Sequence, residues 1–62
     1  MNIRAIAQRL LQTQPPGRMS LINTRVMLET GVNLREVTPE QENNPRTTAM
    51  VEDVLRQMGV GW

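Results

Sequence analysis

Apolar residues recur at three- and four-residue intervals in three stretches of the chain, and each stretch predicts an amphipathic helix. In the first, Ile3, Ile6, Ala7, Leu10 and Leu11 alternate with Arg4, Gln8, Arg9 and Gln12, which predicts a helix from about residue 2 to 13. Pro15 and Pro16 lack amide protons and disfavour helix in the residue before each, and Gly17 allows a reversal, so the segment from Thr13 to Gly17 reads as an elbow. The second stretch carries Leu21, Ile22, Val26 and Leu28 toward a core from Ser20, its expected N-cap, giving a helix over 20–30 that stops at Gly31. Val32 is expected to fold back on Met27 in a Schellman closure.

Thr38, Pro39, Glu40 and Gln41 form a capping-box sequence with proline at the first helical position, predicting a short helical turn over 39–43. Pro45, with Asn44 as cap, opens the last helix, over 45–58, whose apolar face is Met50, Val51, Val54, Leu55 and Met58. Its end, VLRQMGV, repeats the VMLETGV that ends the second helix, a repeated stop signal and not an internal repeat. Val32 to Val37 alternates weakly enough to allow a short extended segment. The expected fold is all-α: a single domain over 1–62, a small bundle of about three helices plus the extra turn, and a C-terminal tail over 59–62.

Size decides how firmly such a bundle stands. A chain of 7.1 kDa hides on the order of 6,000 Å² on folding. Burial of the apolar part contributes on the order of 90 kcal/mol, and ordering the chain costs about the same. Small domains commonly close this gap with disulfides, metals or aromatic packing, yet this chain has no Cys, His, Tyr or Phe. Self-association or a protein partner is the remaining route. The missing residue types also exclude thiolate and imidazole metal sites, cysteine nucleophiles and every His-dependent triad. Glu52 and Asp53 are neighbours in sequence, and a helix points such groups about 100° apart, away from a common substrate. No Gly-rich phosphate loop is present, so the chain is expected to be no enzyme, with no cofactor, no metal and no small-molecule substrate.

Charge is distributed unevenly. Arg4, Arg9, Arg18 and Arg25 precede the first carboxylate, Glu29, and all six carboxylates share the remainder with three arginines. A net charge of +1 therefore conceals halves of about +4 and −3, a polarity that favours head-to-tail association or an anionic partner. All seven basic residues are arginine, whose planar fork suits partly buried contacts with carboxylates and phosphates. No run of apolar residues approaches a membrane span, and a cytoplasmic protein, or one within a particle assembled in the cytoplasm, is expected. The acid-free start also resembles an organelle transit peptide, whose removal would leave about half of the domain.

Trp62, the sole aromatic residue, ends the chain beyond Gly59, Val60 and Gly61. Tryptophan is enriched at interface hot spots, so Trp62, Val60 and Met58, with Arg4 and Arg9 beside the first helix, are the expected protein-contacting residues. The ring folding back over a thin core is the competing structural use. The expected role is a non-catalytic structural or adaptor subunit that folds with copies of itself or docks onto a larger assembly, such as a virus particle.

The alternative is nucleic-acid binding. The stretch GVNLREV, Gly31 to Val37, resembles the turn and recognition-helix start of bacterial helix-turn-helix repressors. That resemblance spans seven residues and implies that Asn33 caps a recognition helix and Arg35 faces the major groove, with Arg18 and Arg25 as phosphate contacts. It departs from that pattern at Met27, where a small residue is usual, and at Pro39, which would fall inside the recognition helix.

Overall fold

The computed structural model describes residues 1–62. Four helices follow one another: α1 (Ile3–Thr13), α2 (Pro16–Thr30), α3 (Pro39–Glu42) and α4 (Pro45–Gln57). There is no strand, and the all-α bundle expected from the periodicity is what forms. No helix is long and apolar enough to cross a membrane.

Each start has a local chemical cause. The Asn2 side chain accepts from the Ala5 amide at 3.0 Å and caps α1. At α3 the expected capping box is complete: Thr38 Oγ1 accepts from the Gln41 amide, and Gln41 Oε1 accepts from the Thr38 amide, both at 3.1 Å. Asn44 accepts from the Arg46 amide at 3.0 Å, with Pro45 at the first position of α4.

The start of α2 differs from the expectation. Ser20 is not its cap; the helix begins a full turn earlier, at Pro16, and Ser20 lies exposed within it. Pro15 is extended, with φ −59° and ψ 151°, and its carbonyl accepts the first helical bond, from Met19, at 2.8 Å. Two consecutive prolines thus serve as a helix start as well as a break, because the amide that Pro16 lacks has no helical partner at that position.

The two similar helix ends also diverge. Beyond α4 the Val60 amide reaches the Leu55 carbonyl at 2.9 Å and the Gly59 amide reaches Arg56 at 3.0 Å, a full Schellman closure around Gly59 at φ 70°. Beyond α2, Gly31 takes φ 77° and donates to the Met27 carbonyl at 2.9 Å. The Val32 amide turns instead to Thr30 Oγ1 at 3.2 Å, so the closure is the simpler left-handed one. Val32 is buried and Met27 is not. The threonine supplies the difference, since Met58, its counterpart before Gly59, has no hydroxyl to accept from the Val60 amide.

One core joins all parts. Ile3, Ile6, Ala7 and Leu10 of α1 meet Met19, Ile22 and Val26 of α2 and Val51, Val54 and Leu55 of α4, with Val32, Leu34 and Val60 closing the ends. α2 packs mainly against α4. The apolar faces were therefore read with errors at their margins. Leu11 and Met50 are about two-fifths exposed, and in α2 the inward face is Met19, Ile22, Asn23 and Val26, while Leu21 and Leu28 point outward.

Candidate functional site

The residues expected to form a partner surface at the chain ends are drawn into the fold. Val60 is only 5% exposed and belongs to the core, and Met58 and Trp62 are partly buried against that core. The Schellman turn at Gly59 directs the tail back over the bundle, which brings the Trp62 ring beneath the Arg56 guanidinium, 5.8 Å from the ring centroid. The ring thus packs against the core, the competing structural use of this tryptophan.

Arg4 is likewise engaged within the chain. Its Nε donates to Glu42 Oε1 at 3.0 Å and its Nη2 donates to the Val37 carbonyl at 2.9 Å, while Asn2 Nδ2 donates to the other Glu42 oxygen at 3.3 Å. These bonds tie the start of α1 to the end of α3 and to the loop before it. Part of the bipolar charge is thereby satisfied inside one molecule. Arg25 pairs with Glu29 along α2, and Arg56 pairs with Asp53 along α4 at 2.7 Å. Arg9, Arg18, Arg35 and Arg46 have no carboxylate partner in the chain.

The helix-turn-helix resemblance does not extend to the backbone. Gly31 to Val37 forms a loop with a turn in which the Glu36 amide donates to the Asn33 carbonyl at 3.0 Å, and no recognition helix starts there. No extended strand forms over Val32 to Val37 either. Asn33 does cap, but it caps only this turn: its Oδ1 accepts from the Arg35 amide at 2.9 Å and from Asn23 Nδ2 at 3.0 Å. That leaves its acceptor oxygen committed to the fold and Arg35 on an exposed turn.

Asn23 escaped notice in the sequence because a polar residue among Ile22 and Val26 reads as part of the outer face. It is 7% exposed, and its Oδ1 accepts from the Leu34 amide at 2.8 Å. The loop's path explains it: a buried amide at Leu34 has no helical or sheet partner, so a side-chain acceptor must meet it.

Two surface features remain. The first is an open groove of about 280 Å³ lined by Met1, Asn2, Glu42, Asn43, Pro45 and Thr48. Both carboxylate oxygens of Glu42 are already bonded there, to Arg4 and Asn2. The second is the outer face of α2, where Leu21 is 70% and Leu28 80% exposed. Seven residues fall about 20° short of two helical turns, so both leucines lie on one stripe, opposite Met19, Ile22 and Val26. Thr24 lies between them, Arg18, Arg25 and Glu29 follow one edge, and Met27, 44% exposed, follows the other. This is the principal exposed apolar stripe of the molecule. No three Asp or Glu residues converge as metal ligands would. Comparison with protein-family models, with curated proteins and with solved structures finds no match for this chain.

Proposed function

We propose that this protein is a small non-catalytic structural or adaptor subunit, an accessory component of a larger assembly such as a virus particle, that docks on protein through the outer face of α2. The observation that carries this reading is the pair Leu21 and Leu28, exposed by 70% and 80% on one stripe, although the same helix already buries a complete apolar face against α4 and α1. Two large apolar side chains on one outer stripe gain from being covered, at about 25 cal/mol per Å² of apolar surface removed from water. Val60 lies in the core and Trp62 packs against it from the same chain, which supports docking as a folded unit.

The arginines without in-chain partners favour nucleic acid as the alternative, and the two readings diverge in a photo-cross-linking experiment. A photoreactive residue in place of Thr24 sits in the middle of the α2 stripe. The docking reading expects protein adducts from this position in cells that assemble the natural particle or complex, identified by mass spectrometry and lost when Leu21 and Leu28 are both changed to lysine. Adducts to nucleic acid alone, or protein adducts that survive the double change, would refute it.

A further inference from the structure

We infer that the occupant of the α2 face is a second copy of this chain, paired antiparallel through α2; this rests on the docking reading above and names its partner. The argument lies in the order of side chains along the helix. Leu21 and Leu28 are centred on the midpoint between Thr24 and Arg25. A twofold axis through that midpoint sets Leu21 of each copy beside Leu28 of the other, so one self-complementary contact covers all four exposed leucines.

Charge selects the same arrangement. Arg18 and Glu29 are eleven residues apart, within about 20° of three full turns, and so share one edge of the stripe. In the antiparallel pair, Arg18 of one copy comes within about 3 Å, measured along the axis, of Glu29 of the second copy, and the symmetry makes this pairing twice. A parallel pair would instead set the Arg18, Arg25 and Glu29 edge of each copy against the Ser20 and Met27 edge of the other, where neither Arg18 nor Glu29 meets an opposite charge. The Arg25 side chains approach one another at the twofold axis, where each is offset by its bond to Glu29 of its own chain. On the other edge, exposed Met27 falls near Ser20 of the second copy, a small side chain that leaves room for it.

A 15-residue helix is about 22 Å long. Two such helices bury less than the roughly 1,200 Å² of standard stable complexes, so the pair belongs with the small, reversible interfaces.

Sedimentation equilibrium of the full chain from about 10 µM to 1 mM tests this, with circular dichroism confirming that each variant is folded. The wild-type chain is expected to pass from monomer to dimer, and Leu28→Lys to weaken the dimer at least about tenfold. Arg18→Glu and Glu29→Arg should each weaken self-association. Mixed one to one, they restore opposite charges at both pairings, and a heterodimer at least as strong as the wild-type dimer is expected. A wild-type chain that stays monomeric to 1 mM refutes the second copy as occupant and leaves protein docking to the cross-linking test. A dimer indifferent to Leu28→Lys pairs through another surface and refutes the second copy as occupant of the α2 face, again leaving protein docking to the cross-linking test. A dimer whose two charge variants associate no better mixed than separately overturns the antiparallel pairing.

Discussion

Replacing Asn23 by alanine removes the side chain that holds the loop after α2 against the bundle. Its oxygen accepts from the Leu34 amide at 2.8 Å, and its nitrogen donates to Asn33 at 3.0 Å. Leu34 is 2% exposed, so its amide has no water to turn to once the acceptor is gone. An unpaired buried amide costs about 1–3 kcal/mol, and the lost bond to Asn33 adds on the order of 1 kcal/mol. A loss of about 2–4 kcal/mol is therefore expected. Chains of this length have total stabilities of roughly 3–9 kcal/mol, which makes the loss a large fraction of the whole. At about 2.1 cal/mol/K of unfolding entropy per residue, the melting temperature should fall by about 15 °C or more. Urea titration followed by circular dichroism at 222 nm gives the free energy directly. Asn33→Ala should cost less, about 1 kcal/mol, because the Arg35 amide it also serves is exposed and finds water. The double variant should cost less than the sum of the two singles, since the shared bond is lost only once. If Asn23→Ala lies within about 0.5 kcal/mol of wild type with an unchanged denaturant slope, the account of Leu34 as a held, desolvated amide is wrong.

Other expectations follow from the same contacts. Trp62→Ala should destabilise the isolated chain by about 1–2 kcal/mol, because the ring covers the core beside Arg56; a thermal melt indistinguishable from wild type would mean the tail does not pack. Gly59→Ala should cost about 1 kcal/mol, as a Cβ is strained at φ 70° even though no atom lies in its way, and amide hydrogen exchange at Val60 should accelerate with it. Arg4→Ala should lower stability by about 1 kcal/mol or less, since the guanidinium is partly exposed at 42% and solvent screens its pairing with Glu42. Raising salt to 1 M should remove part of that difference, whereas Asn23→Ala should be insensitive to salt.

Helix existence was legible in the sequence because the signals are local. The capping box at Thr38 and Gln41 and the Asn44-Pro45 start each act within four residues, and the structure forms both; the Asn2 cap of α1, equally local, was not read. The start of α2 was misplaced because consecutive prolines carry two meanings, break and first helical position, that only the direction of the following chain separates. The apolar face of α2 was misread because the helix has apolar residues on two sides. Counting Leu21 and Leu28 as core is reasonable when no neighbour is known; which side is covered depends on where α1 and α4 lie.

The candidate surface was less legible for the same reason. Val60, Met58 and Trp62 were expected to reach a partner because four terminal residues with two glycines read as a loose tip. The Schellman bonds at Gly59 and Val60 turn that tip inward against the core. Asn33 and Arg35 were singled out through a likeness to a DNA-reading turn, yet the loop there is shaped by Asn23 from ten or more residues away.

What the sequence by itself determined is the all-α class, the positions of the stops at Gly31 and Gly59, and the caps of α3 and α4, because capping and periodicity are interactions between near neighbours. The tertiary structure alone decided which face of α2 is covered, where the tail packs, and which charges meet. Each of those depends on residues distant in sequence brought together, such as Arg4 with Glu42, and no local pattern encodes a contact whose two halves are separated by a turn of unknown direction.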